Sequence, residues 1–188
     1  MYSSTSGNSN KSTLFGYPRS HRVPQHQQQE EQNAKRSQYR CRRPPTTGGG
    51  IEGDSRAAYQ TAWTVAQQYA EFGNAHLDVR VYPNSVSRTG PSGGLPVAAA
   101  LVSLGIGQPV PYGIGMSGVI GADGAISAIG GTFEKVSAAK EAGLTTVILP
   151  RANENDIDMV LFGEHFEEIV FHYVSHFNEV HALLFGDP

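Results

Sequence analysis

Apolar positions are sparse and unordered over residues 1–50 and periodic over residues 51–188, so the chain divides into two unlike parts. In "DSRAAYQTAWTVAQQYAEFG", Ala58, Ala62, Val65, Ala66 and Tyr69 share one face of a helix, with Asp54 or Ser55 as candidate N-cap and Gly73 as its stop. "AHLDVRVYP" alternates Leu77, Val79 and Val81 with polar neighbours, the pattern of a half-buried strand ending at Pro83. "LPVAAALVSLGIG" is apolar nearly all round and predicts a central helix, with Pro96 tolerated in the first turn. "GIGMSGVIGADGAISAIGG" predicts a pair of strands turning at Asp123 and Gly124, because an Asp-Gly step supplies the positive φ angles of a tight hairpin. "TFEKVSAAKEAG" predicts a helix capped by Thr132 and stopped by Gly143, followed by a buried strand in "LTTVILP". A short helix after "RANENDID", a strand at "EIVFHYV" and a helix at "FNEVHALLF" complete the pattern. Helices mixed with strands, some in a hairpin, predict an α+β domain built on a mixed sheet.

A length of 188 residues suits one domain, and a 39% apolar content concentrated in residues 51–188 is enough for its core. Residues 1–50 carry eight Lys or Arg against two acids and are dominated by Ser, Gln and Pro, whereas residues 51–188 carry six against fifteen. The first part buries too little apolar surface to offset its ordering entropy and is expected to be a disordered tail. Its charge suits an acidic surface or nucleic acid, but without interleaved aromatics a solvated tail is the expectation. The stretch up to Gln29 is Ser-rich and free of acids, as transit peptides are, yet no amphipathic helix runs through it. One cysteine, Cys41, leaves no disulfide framework and no cysteine-based metal site, and suits a reducing compartment such as the mitochondrial matrix or the cytoplasm. No stretch approaches the roughly 20 apolar residues of a membrane span, so no membrane partner is expected.

The chemistry centres on "RTGPSGGLP". Ser92 follows a predicted strand and loop and opens a predicted helix, where free backbone N–H groups and the helix dipole can stabilise an oxyanion. Gly90 and Gly93 flank it and admit a substrate backbone, and Pro91 precedes it. A serine nucleophile needs a base. The string fits the G-x-S-x-G elbow of α/β-hydrolases, whose base would be His165, His172, His176 or His181, but these fall in segments whose histidines sit on solvated or satisfied faces. The other candidate is lysine, and residues 51–188 hold only Lys135 and Lys140, both on the predicted helix after "IGG". At about 100° per residue they point some 140° apart, so at most one can face the serine. Lys135 lies between Phe133 and Val136 near the helix start, where burial can strip its charge, while Lys140 suits the helix end as a cation. "GIGMSG" also satisfies G-x-G-x-x-G, but dinucleotide binding needs a helix directly after it, and a hairpin is predicted there.

"TGPSGG", "AAALVSLGIGQPVP", "GMSGVIGADGAISAIGGTFEK", "AAKEAGLTTVILPRANENDID" and "FHYVSHFNEVHALLF" resemble, in order and nearly without gaps, the proteolytic domain of Lon proteases over about residues 51–186. The resemblance implies that Ser92 is the nucleophile and Lys135, 43 residues on, its partner, with Ser117 of "MSG" helping to hold the lysine. Three positions depart from the family pattern: Thr89 replaces the acid before the serine, Val119 an acid after "MSG", and Phe133 the first lysine of the family's lysine motif. The polar tail stands where the family's opening strands would be, so residues 51–188 are expected to lack them.

The implied activity is serine-type endopeptidase action on proteins or unfolded polypeptides through a Ser/Lys dyad. Homo-oligomeric rings are implied on the same ground. No Walker A string is present, so ATP dependence would enter through a separate ATPase domain or an AAA-type ATPase chain, and no cofactor is expected in this one. A catalytically silent Lon-like scaffold or binding domain is the competing reading. Substitution of Ser92 or Lys135 separates the two, since only the enzyme needs either side chain.

Overall fold

The computed structural model describes residues 46–47, 53–73, 78–79 and 90–186. The elements in chain order are β1 Thr46–Thr47, α1 Asp54–Tyr69, β2 Asp78–Val79, a 3-10 turn Pro91–Gly93, α2 Gly94–Ile106, β3 Ile114–Met116, β4 Val119–Ile120, β5 Ile126–Ser127, α3 Thr132–Glu141, β6 Thr146–Pro150, α4 Met159–Phe162, β7 Val170–Val174 and α5 Phe177–Phe185. The α+β expectation holds, with both parallel and antiparallel pairings present. They fall into three sheets: β1 with β2, β4 with β5, and a parallel sheet in the order β3-β6-β7. The tail expected over residues 1–50 lies outside the described residues except for β1, whose Thr46 and Thr47 pair in parallel with Asp78 and Val79. The pairing begins five residues before residue 51, the predicted start of the domain.

β6 shows how the core is divided. Its side chains alternate, Val147 and Leu149 to one face and Ile148 to the other, and both faces are covered. Val147 and Leu149 join Ile129, Val136, Ile157, Phe166 and Ile169, a cluster built with α3. Ile148 joins the larger cluster of α1, α2 and α5, including Trp63, Leu95, Val102 and Phe177. Coverage on both sides is why "LTTVILP" reads as a continuous apolar run rather than an alternating one. Each fully buried aliphatic or aromatic side chain here contributes about 1.5–3 kcal/mol.

α2 is central for most of its length: Leu95, Val97, Ala98, Ala99, Leu101 and Val102 are buried, and only Leu104 and Ile106 emerge near its end. Its glycines let neighbours approach. A Cβ on Gly94 would stand 2.9 Å from Ile120 and 3.5 Å from Ala58 of α1, and one on Gly105 would stand 2.5 Å from the Ala70 Cβ.

Several local expectations change. α1 is capped by Gly53 rather than Asp54 or Ser55 and ends at Tyr69, with Ala70 as C-cap, short of Gly73. α3 is capped by Gly131 in the left-handed conformation, because the Thr132 hydroxyl donates instead to Asp156 Oδ2 at 2.7 Å. The predicted hairpin is β4 and β5, Val119 opposite Ser127 and Ile120 opposite Ile126, while β3 belongs to the parallel sheet. Its turn is longer than a two-residue one: Gly121 N–H donates to Ala125 O, and Gly124 alone has positive φ, 88°. Leu77 and Val81 of the predicted upstream strand lie outside the described residues, and Val79 is buried as expected.

The hairpin is tied to α5 by His176, the N-cap of that helix. Its Nε2 lies 2.8 Å from Asp123 O, and a carbonyl can only accept, which assigns the proton to Nε2. Nδ1 then accepts from Asn178 N at 3.3 Å, and Glu179 completes a capping box by accepting from the His176 N–H at 3.0 Å.

Two expected outcomes follow from these contacts. Gly124→Ala meets both a left-handed backbone and the His176 ring, 2.7 Å from the new Cβ, and is expected to cost about 1–3 kcal/mol in chemical denaturation. Asp156 has its carboxyl pKa lowered by hydrogen bonds from Thr132 and Asn153. A carboxylate whose folded pKa lies below its unfolded value stabilises the fold above the unfolded pKa, and that share is lost as pH falls through the folded one. The stability advantage of the parent over Asp156→Ala should therefore shrink as pH is lowered from about 5 toward 2.

Candidate active site

Ser92 is the middle residue of the 3-10 turn that runs directly into α2, and it is half-buried. Pro91 opens that turn with a fixed φ, and Pro96 is the third residue of α2, where the missing N–H is harmless. The main chain around Ser92 is held from three sides. Gly118 N–H donates to Ser92 O at 2.9 Å, and Leu95 N–H donates to Gly118 O at 3.1 Å, a reciprocal pair that joins the turn to the segment after β3. Ser117 Oγ also donates to Ser92 O, at 3.3 Å, while Ser117 N–H donates to Ile148 O of β6 at 3.2 Å. Ser55 of α1, 1% exposed, donates its hydroxyl to Gly90 O at 2.7 Å.

Gly93 differs from its expected role. A Cβ there would lie 3.0 Å from the Tyr59 hydroxyl and 3.2 Å from its ring, so the space beside Gly93 is filled by α1 rather than left for a substrate. Gly90 is exposed and has open space at the position of a Cβ, which fits the expectation of an accessible approach on that side. Of the amides near Ser92, Gly94 N–H is engaged by Pro91 O and Leu95 N–H by Gly118 O. The Gly93 amide closes the 3-10 turn on Gly90 O, and the Ser92 amide is a candidate oxyanion donor.

Lys135 is the fourth residue of α3 and is half-buried. Its Nζ donates to Gly130 O in the turn just before the helix. Burial lowers its pKa from the ordinary lysine value, opposed by the adjacent Glu134 carboxylate. Lys140 instead donates to His165 O, so the two lysines serve different turns, as their helical phase predicts. Of the histidines weighed as bases, His176 is committed to Asp123 and Asn178, and His181 is buried with its ring stacked on Tyr69 and edge-on to Phe185. His165 is exposed beside Phe166. His172 lines an open concavity of about 510 Å³ between β7 and α5, with Tyr173, Glu179 and Leu183, and neither Ser92 nor Lys135 lines it. The segment after "GIGMSG" is strand β4, not a helix, which removes the context a dinucleotide site needs. Among the described residues no group of three or more His, Cys, Asp or Glu could hold a metal ion.

Two supporting residues escaped the sequence reading. Ser55 reads there as a candidate helix cap, and Tyr59 is not singled out. Nothing local marks their proximity to Gly90 and Gly93, more than 30 residues away.

A serine on a firmly held turn at a helix start and a part-buried lysine whose pKa burial lowers are the kinds of group a serine hydrolase uses. Residues 55–186 match the model of the Lon protease (S16) C-terminal proteolytic domain, and the chain belongs to that family. It is 32% identical to the human mitochondrial Lon protease homolog over 145 residues, covering 74% of this chain and 15% of that protein. It is also 39% identical to Lon protease of Brevibacillus choshinensis over 123 residues and 40% identical to that of Magnetococcus marinus over 115, covering 64% and 61% of this chain. The matched region spans about 15% of the length of these relatives.

The tether from α1 can be tested directly. Ser55→Ala leaves Gly90 O without its buried donor and is expected to cost about 1–3 kcal/mol of stability. Ser55→Thr, which keeps the hydroxyl, should recover much of the loss in a urea denaturation series.

Proposed function

We propose that this domain hydrolyses peptide bonds through Ser92 as nucleophile and Lys135 as general base. The observation that carries the reading is the match of residues 55–186 to the Lon proteolytic domain, with Ser92 on a held turn at the start of α2 and a part-buried Lys135 whose pKa burial lowers in support. A neutral Lys135 takes the Ser92 proton as the hydroxyl oxygen attacks the scissile carbonyl. The Ser92 amide receives the oxyanion, and the lysine cation then protonates the leaving amine. Water, deprotonated by the same amine, releases the acyl group and restores the serine.

Ser117 has a double part in this reading. Its proton goes to Ser92 O, which leaves its oxygen lone pairs free to accept from the Lys135 amine and orient it. Gly90 and Pro91 set the approach and angle of the turn, and Gly93 lets Tyr59 buttress it. The substrates proposed are proteins or unfolded polypeptides. Assembly into a homo-oligomeric ring, and ATP dependence through an AAA-type ATPase domain or chain, belong to the same proposal.

The test is cleavage of a fluorogenic peptide and of an unfolded protein, with and without a cognate ATPase. Ser92→Ala and Lys135→Ala should each lower kcat by at least about 1,000-fold with the fold intact by circular dichroism. Parent-like rates in both variants, or an inactive parent, would leave a silent scaffold. The active form needs the amine deprotonated, so kcat should rise with pH and level off above the Lys135 pKa, with its midpoint below the ordinary lysine range.

A further inference from the structure

A buried polar cluster stands behind the turn that holds Lys135. Its centre is Asn153, which follows β6 and is 3% exposed. The Asn153 side chain grips the backbone of Ile129 at both ends: Ile129 N–H donates to Oδ1 at 3.0 Å, and Nδ2 donates to Ile129 O at 2.9 Å. This is the two-point pairing a neighbouring strand would make, supplied by one side chain. The second Nδ2 proton goes to Asp156 Oδ2 at 2.6 Å, and Thr132 Oγ1 lies 3.2 Å from the same nitrogen. Asp156 Oδ2 accepts from Thr132 as well, at 2.7 Å, so one carboxylate oxygen fixes which way the Asn153 amide faces and holds the first residue of α3.

The geometry lies on the lysine's own path. Ile129 precedes Gly130, whose carbonyl accepts from Lys135 Nζ, and Thr132 begins the helix that carries Lys135. Both ends of the lysine's local frame, the acceptor of its amine and the origin of its helix, are therefore set from "NEND". The turn itself contains Gly130 and Gly131, the latter at φ 67°, and has little stiffness of its own. A buried amide with both its donors and its acceptor engaged supplies that stiffness.

We propose that Asn153 is the positioning residue for the Lys135 amine, acting through Ile129 and Gly130, with Asp156 and Thr132 setting its orientation. This rests on the reading of Lys135 as the base. The arrangement is selective for an amide. An aspartate of the same shape keeps the acceptor for Ile129 N–H but turns the donor into a second acceptor, facing both Ile129 O and the Asp156 carboxylate. An asparagine at 156, by contrast, keeps an oxygen for both Asn153 and Thr132.

The experiment uses the full chain and two readouts. In peptidase assays Asn153→Ala and Asn153→Asp should lower kcat about 10- to 100-fold with KM within about 2-fold, because a small displacement of a reacting group acts on the chemical step. Acetylation by an N-hydroxysuccinimide ester, mapped by mass spectrometry, reports the anchoring itself. In both variants Lys135 should react several-fold faster while Lys140, held by His165 O on another turn, keeps its parent rate. Asp156→Ala, at an exposed carboxylate, should move both readouts in the same direction, and Asp156→Asn should recover most of the change. This pair decides the matter if the Asn153 variants do not fold.

Parent-like kcat and Lys135 labelling in the folded variants overturn the proposal. So does equal acceleration of both lysines, which marks general loosening. Should Ser92→Ala and Lys135→Ala keep full activity, the catalytic reading falls on that result. The labelling contrast between Lys135 and Lys140 would still decide whether Asn153 anchors the amine.

Discussion

Gly118 joins the turn that carries Ser92 to the core of the molecule. Its N–H and C=O make a reciprocal pair of backbone hydrogen bonds with Ser92 O and Leu95 N, so the serine turn and the first turn of α2 are held to the segment after β3 as a strand is held to its neighbour. The residue before it donates to Ile148 O, which extends the connection to the middle strand of the parallel sheet. A Cβ at 118 would come within 2.9 Å of Leu95 Cδ2 and 3.2 Å of Ile126, so a larger residue would force both to shift. The serine thus sits on a main chain fixed to the core of the sheet rather than on a free loop. Its hydroxyl can be presented with little entropy left to lose when a substrate arrives.

The lysine is held on a different principle. Its turn lies in no strand pairing among the described residues, and a buried asparagine bonds its backbone instead. Burial then does the electrostatic part, disfavouring the ammonium form against the opposing field of Glu134. Backbone pairing places the Ser92 turn and a side-chain network places the Lys135 turn, so substitutions reach the two by separate routes.

Much of the fold was legible in the sequence because its signals are local. The 3.6-residue period of α1, the apolar run of β6 and the left-handed glycine in the hairpin turn depend on neighbours within a few positions. The phase of α3 sends Lys135 and Lys140 to different turns, where they donate to Gly130 O and His165 O. What could not be read depends on distant partners. Thr132 looks like a helix cap until Asp156 claims its hydroxyl, and Ser55 looks like another until Gly90 does. The pattern "GIGMSGVIG" contains two short strands, but nothing in it says that the first pairs with β6 and the second with β5. Gly93 reads as a gap for substrate, because the tyrosine that fills it lies 34 residues earlier.

His176 bonds to the Asp123 carbonyl 53 residues earlier, and the neighbouring amides of Ile126 and Phe177 close the same junction through Ser175 O and Gly124 O. Closing so long a loop costs entropy before any of these bonds can form, and such contacts slow folding. During synthesis the β4–β5 hairpin leaves the ribosome well before α5 exists to clasp it. The hairpin connects Gly118 to the lysine turn, so the framework of the site is completed only when this late-made helix docks. A nascent chain would carry Ser92 and Lys135 for some time before it could hold their turns in register.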